Sequence, residues 1–257
     1  MRFQGGHKVR ENLSTLSTYK SLAEVAFPRR SNVFPSSARA GRCLHTIMES
    51  IDFAASPQII RRCIAQTLGH FGFDPAYLEA VYLLVNATLH VEFARGISLA
   101  RIPANKKRTE LAFTLSVDTL NLDELRTLLV DPTQGLAPPL RQAVAHLNFA
   151  TVRGFLKGFI DLVFEADGRI YLVDYKSNQL NHYDQDALMQ SIRQEHYYLQ
   201  YLIYSVALKR YFQTRQCDFS ARFAGVHYVY MRGLESGASI WHDQPHPALL
   251  ERLDQLL

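Results

Sequence analysis

Residues 158–178 read GFIDLVFEADGRIYLVDYKSN, and this stretch decides the fold. Gly154–Glu165 and Arg169–Tyr175 are rich in β-branched and aromatic residues and are separated by Ala166-Asp167-Gly168, the pattern of strand, tight Asp-Gly turn and strand. Asp161 falls in the first strand and Asp174 in the second. Strand side chains alternate between faces, so Asp174 and Lys176 point the same way, about 6.6 Å apart, and the turn can bring Asp161 opposite them. Both acids interrupt apolar runs, Ile160-Asp161-Leu162-Val163 and Leu172-Val173-Asp174-Tyr175. An unpaired carboxylate there is costly to bury unless a cation or hydrogen-bond donors compensate it. Two hard oxygen ligands beside a lysine meet the needs of Mg²⁺-assisted phosphodiester hydrolysis: the metal polarises the phosphate and acidifies a bound water, and the ammonium orients that water or offsets developing charge. An isolated Asp-x-Lys is more often an ion pair on a solvated strand, a reading that the upstream Asp161 weakens.

Outward from the hairpin, the period of the apolar residues assigns the remaining elements. Leu44 to Ile51, Ile60 to Leu68 and Leu78 to Leu89 recur at three- and four-residue spacing and predict three helices, the last opened by Asp74-Pro75. Glu110–Val117 alternates and predicts a strand. Asp123–Leu129 and Pro139–Leu147 read as short helices, Gln185–Arg193 and His196–Phe212 as two helices after the hairpin, Ala224–Met231 as a strand and Pro247–Leu257 as a terminal helix. Residues 1–37, rich in Gly, Ser, Pro and charge, read as a leader or linker carrying one short helix; 38–95 form a helical part and 108–257 a sheet core with the hairpin. Helices followed by a sheet with helices laid on it make an α/β domain.

The helix after the hairpin adds a second signal. On a helical projection Tyr197, Gln200, Tyr201, Tyr204, Leu208 and Tyr211 share one side, and Leu199, Leu202, Ile203 and Val206 the other. One face is thus aliphatic and the other phenol and amide, although an aromatic stripe is more often packing than function.

Composition sets the outer bounds. The 257 residues carry 28 Lys+Arg against 24 Asp+Glu, a net charge of +4, so attraction to nucleic acid has to come from a local patch. Arg29-Arg30, Arg61-Arg62, Lys106-Lys107-Arg108, Arg153 and Lys157 are candidate phosphate contacts, and Lys157, four residues before Asp161 and on the same strand face, is the one placed near DNA. The three cysteines, Cys43, Cys63 and Cys217, form no CxxC pair, which argues against a disulfide framework and fits a reducing cytoplasm. No apolar run is long enough to suggest a membrane span.

The runs LKGFIDLVFEADGRIYLVDYKSNQL and YYLQYLIYSVALKRY closely resemble the RecB C-terminal nuclease-domain family, a branch of the PD-(D/E)xK nucleases. The likeness extends upstream to ARAGRCLHTIMESIDF, similar to the family's Gly-x-x-x-His helix, and downstream to FAGVHYVYMRGLESG and PHPALLERLDQLL. It implies a restriction-endonuclease-like core, a central mixed β-sheet flanked by helices with an N-terminal helical subdomain. It also implies that Asp161 and Asp174 bind metal, that Lys176 is catalytic and that His45 reaches in from the helical part as a further ligand; read alone, His45 would be a core histidine. Gln200 and Tyr204, with Tyr197, fall in the pattern Tyr-x-x-Gln-x-x-x-Tyr-x-x-Ala-Leu that positions DNA beside the site, and Glu110 resembles a family acid near it. Arg42 and Cys43 depart from the small and apolar residues more usual before the histidine.

The expected activity is a Mg²⁺-dependent DNA exonuclease or endonuclease in end processing and recombinational repair, with Mn²⁺ as a substitute metal, acting mainly on single strands or ends. Helicase and accessory subunits of a RecBCD-type complex are the expected partners. Three dispersed cysteines cannot supply the four ligands of an iron–sulfur cluster, and no GxxxxGK[ST] loop for a nucleotide occurs in these residues. The alternative is a non-catalytic DNA-binding or subunit-docking module derived from such a nuclease; it is disfavoured because loss of activity normally erodes the acids and the lysine.

Overall fold

In the computed structural model, which describes residues 33–148, 151–236 and 239–257, the Asp-Gly turn closes a two-residue hairpin. Asp167 and Gly168 both take positive φ, 48° and 74°, as a type I′ turn requires, and Ala166 pairs with Arg169 across it. The strands so joined, β2 (Val152–Ala166) and β3 (Arg169–Lys176), lie inside a five-stranded sheet whose order follows the chain. Before them runs β1 (Lys107–Leu120), and after them β4 (Phe223–Tyr230) and β5 (Ile240–Asp243). Only β3 and β4 pair in parallel; the other neighbours are antiparallel. The sheet is therefore mixed, flanked by helices, as the sequence implied. The four-residue β5 has no counterpart in the sequence reading, and β1 runs beyond the expected 110–117 at both ends.

Three helices precede the sheet: α1 (Ala38–Ser50), α2 (Pro57–His70) and α3 (Leu78–His90). Ser37 and Ser56 cap the first two by accepting from Ala40 N and Ile59 N, satisfying amides that a helix start leaves open. Asp74 caps a 3₁₀ turn, Pro75–Tyr77, that leads into α3. Between β1 and β2 lie α4 (Leu122–Val130) and α5 (Pro138–Val144). The parallel crossover from β3 to β4 carries α6 (Gln185–Gln194), α7 (Tyr197–Gln213) and α8 (Phe219–Arg222), and α9 (Pro247–Leu256) follows β5.

Two apolar clusters sandwich the sheet. On one face α1, α2 and α3 pack on Leu162, Phe164, Tyr171, Val173 and Tyr175; on the other α4 to α7 and α9 pack on Leu115, Ile160, Leu172, Val226 and Tyr228. Covered on both faces, β4 is buried along its whole length and β3 along all but its first residue, which is why both read as nearly continuous apolar runs. Phe34, within the segment read as leader, is buried against Phe73 and Tyr77, and Arg232 donates to the carbonyls of Phe34, Pro35 and Ser177. The short helix expected near residues 16–25 and the Arg29-Arg30 pair lie outside the described residues. Among the described residues no helix is long and apolar enough to cross a membrane.

Candidate active site

The β2–β3 ladder ends at Leu162 and Val173, one residue short of the two acids. Asp161 and Asp174 thus face each other where pairing stops, and the Tyr175 N–H, with no strand partner left in β2, donates to Asp161 Oδ2 at 2.8 Å. From the helical layer His45 brings Nδ1 to 3.3 Å from the same oxygen. It can do so because α1 rides close over the end of β3: a Cβ on Gly41 would lie 2.7 Å from Ser177 Oγ, nearer than the neighbour could remain. A residue without bulk is needed there for the approach, one turn before the histidine.

Asp174 is 3% exposed and Lys176 6%, and Lys176 Nζ lies 2.6 Å from Asp174 Oδ1, an ion pair outside hydrogen-bond geometry that leaves this oxygen with no hydrogen-bond partner. The ammonium donates instead to Gln200 Oε1 at 2.8 Å and sits 3.6 Å from the Tyr197 ring centroid and 4.5 Å from that of Tyr228, contacts that favour a partly desolvated cation. Gln200 Nε2 donates to the Tyr204 hydroxyl at 2.9 Å. Tyr197 donates to Asn178 Oδ1 at 3.2 Å. A chain of polar contacts therefore runs from Asp174 through Lys176 and Gln200 to Tyr204.

The electrostatics follow from this crowding. Burial raises the Asp174 pKa most, Lys176 opposes it and Asp161 adds to it, leaving the carboxyl at about 6. For His45 burial works against the imidazolium, but the bond to Asp161 and its charge outweigh it and the pKa is raised. Burial and the Asp174 charge push Tyr204 up to about 12, so its hydroxyl keeps its proton.

Of the residues singled out in the sequence, His45, Asp161, Asp174, Lys176, Tyr197, Gln200 and Tyr204 come together. Lys157 does not: it is exposed on β2 opposite Thr114, about 13 Å along the strand from Asp161. The tyrosine face of α7 is narrower than its projection suggested. Tyr201 is fully buried and donates to Asp243 Oδ2 at 2.6 Å against Trp241, because α7 is packed on more than one side. Several of the cationic candidates are spoken for by their own fold: Arg61 pairs with Glu79, Lys106 with Glu165, and Lys107 lies over the Phe53 ring. Cys43, next to the histidine turn, is buried packing whose thiol burial raises to about 11.

Two neighbours escaped the sequence reading. Tyr228 on β4, opposite Asp174, donates to the Tyr197 carbonyl at 2.8 Å with Gln200 Oε1 at 3.2 Å; its place on a strand neighbouring the acids was the available signal. Glu49 lies one turn after His45 on α1, where burial and the adjacent Glu110 raise its pKa. Its spacing of four residues from His45 was the clue. Glu110 itself interrupts β1 with φ 47°.

Among the described residues no three Cys, His, Asp or Glu side chains converge as a ready-made metal shell; the acids lean on His45, Lys176 and a backbone amide instead. The donor set nevertheless fits a hard divalent cation. Two neighbouring carboxylates, one of them buried and pushed toward its neutral form by that burial and by its neighbour's charge, gain from an added positive charge.

A mixed sheet between helical layers, with two acids and a lysine where a hairpin's pairing ends, is the architecture of one nuclease class, and the model for the PD-(D/E)XK nuclease superfamily matches residues 23–255. The chain belongs to that superfamily. Within it, the chain is 34% identical to the RecBCD enzyme subunit RecB of Escherichia coli (strain K12) over 239 residues, 87% of this chain and 19% of that protein. It is 41% identical over 116 residues to the subunit RecB of Haemophilus influenzae, covering 42% of this chain and 10% of that one. With RecB of Mycobacterium tuberculosis (strain H37Rv) it shares 28% over 273 residues, 95% and 25% of the two chains. The chain thus spans a quarter or less of the length of these relatives.

Proposed function

We propose that the chain is a metal-dependent deoxyribonuclease of the RecB type, hydrolysing DNA phosphodiester bonds on single strands or ends in DNA end processing and recombinational repair. The observation that carries this reading is the juxtaposition of Asp161, Asp174 and Lys176 at the open end of the hairpin, with His45 on one side and Gln200 on the other. Asp161, Asp174 and His45 would hold Mg²⁺, or Mn²⁺, which suits an imidazole ligand better. The ion supplies Lewis acidity at the phosphate and a more acidic water. Lys176, held by Gln200 and the rings of Tyr197 and Tyr228, would orient the attacking water or offset the developing phosphorane charge. Tyr204 orients Gln200, and Tyr197 with Tyr228 fixes the ammonium from the rear. The relatives are named as subunits of a RecBCD enzyme, which supports a RecBCD-type complex as the setting; helicase and accessory subunits as partners, and the cytoplasm as location, belong to the same proposal.

Cleavage of linear and circular, single- and double-stranded DNA in Mg²⁺ or EDTA tests the reading and separates exonuclease from endonuclease. Lys176→Ala is expected to lower the rate by two to three decades or more with an unchanged circular dichroism spectrum. Near wild-type cleavage by that variant, or EDTA-insensitive cleavage by the unaltered chain, would overturn it.

A further inference from the structure

Phe155 and Phe159 are 68% and 57% exposed, unusual for large apolar side chains in a strand. Both lie on β2 at alternate positions with Lys157 between them, on the strand that carries Asp161 two residues beyond Phe159. The residues opposite them on β1 are small: Ala112 beside Phe159, Thr114 beside Lys157 and Ser116 beside Phe155. Nothing on the neighbouring strand therefore covers the rings. The reverse face of this ribbon is anchored: Phe113 lies over Gly158, where a Cβ would come within 2.8 Å of its ring, and its centroid is 5.5 Å from that of Tyr204. A rigid surface thus presents two bare rings and an ammonium on the strand that carries Asp161, with Arg153 exposed beyond Phe155. The exposed acids Glu110 and Asp118 stand at its two ends, leaving the middle cationic.

We propose that Phe155 and Phe159 form a stacking platform for the bases of a single DNA strand, with Lys157 taking a phosphate between them, and that this platform delivers the strand to Asp161. The proposal rests on the nuclease reading for the identity of the ligand. Alternating rings and cations suit a single strand, since every base has a face to stack and the backbone supplies one charge per nucleotide. Duplex bases are already stacked on one another and offer the rings nothing, which gives the site its preference for unpaired DNA.

Binding of fluorescein-labelled oligo(dT) to the whole chain is measured in EDTA, where no hydrolysis interferes, against an abasic oligomer of equal length. Phe155→Ala and Phe159→Ala should each weaken oligo(dT) binding about 5- to 150-fold, the range for losing one stacked base, and leave the abasic oligomer unaffected. Phe159→Trp should retain affinity, and Ile59→Ala, an equally exposed apolar residue on α2, should change nothing. Equal losses for both oligomers, or none for either, overturn the platform. Unchanged DNA affinity with lost self-association in sedimentation assigns the rings to a protein contact and overturns it as well. A chain that binds oligo(dT) through these rings but cuts no DNA in Mg²⁺ keeps the platform and removes the nuclease; one that cuts while the alanine variants bind normally does the reverse.

Discussion

At Asp174 burial and the nearby Asp161 favour the neutral acid, and Lys176 and His45 favour the carboxylate. Burial and Asp161 win, which is why the group titrates near 6. A folded pKa above the unfolded value means that the native state binds the proton more tightly, so this group's contribution to stability falls as pH rises from about 4 through 6. Asp174→Asn, which fixes the neutral form and keeps an oxygen for Lys176, should therefore raise the unfolding free energy at pH 7.5 in EDTA by on the order of 3 kcal/mol, and the melting temperature with it, and the gain should vanish near pH 4. Mg²⁺ should stabilise the unaltered chain and not the variant. Thermal melts across pH check this; a variant no more stable than wild type at pH 7.5 would show that the Lys176 pair outweighs the burial and the repulsion. Cleavage should be lost in either event, a site kept at the expense of stability.

The elements that hold these side chains were unequally legible in the sequence. The hairpin was plain because two runs rich in β-branched and aromatic residues, an Asp-Gly turn and two misplaced acids coincide. β5 was not, since four residues are too few to carry a period. Helix α7 misled in detail: a projection shows which residues share a side, but not how many layers pack on the helix, so Tyr201 joined the phenol face on paper and the core in fact. Glu49 was passed over because a glutamate near a helix end reads as a solvated charge. Gly41 was visible only as part of a family pattern, and the approach of α1 to Ser177 supplies its reason. Gly41→Ala should be mild, because the Ser177 hydroxyl can rotate away and alanine gains about 1 kcal/mol of helix propensity. Gly41→Val adds bulk that rotation cannot absorb, so α1 must lift and carry His45 away from Asp161. Metal affinity should drop at least tenfold for valine and under threefold for alanine, read by Mn²⁺ titration; equal affinities for the two would mean that the approach of α1 does not set the position of His45.

Across the whole molecule, the sheet separates two cores, and the site forms where they meet, with His45 from the helical side and Gln200 and Tyr204 from the other. This arrangement explains why the site was predictable as chemistry but not as geometry, since each layer contributes residues far apart in sequence. It also limits what these residues can do unaided. No GxxxxGK[ST] loop occurs in these residues, so ATP is not expected to drive strand separation by them alone. The net charge is only +4, and three exposed cations are taken as contacts for a strand: Arg42, one turn before His45, with Lys157 and Arg153 on the ribbon. Three phosphate contacts on a single strand give a slope of log affinity against log salt of about −2. The purified chain should therefore cut single strands without ATP, leave the interior of blunt duplex intact with or without it, and lose affinity for oligo(dT) about 15- to 20-fold between 50 and 200 mM salt. End-labelled duplex and single strand, incubated across a salt series with and without ATP, provide the measurement. ATP-stimulated duplex degradation, or a slope several times steeper, would require a motor or a cationic surface that the described residues do not contain.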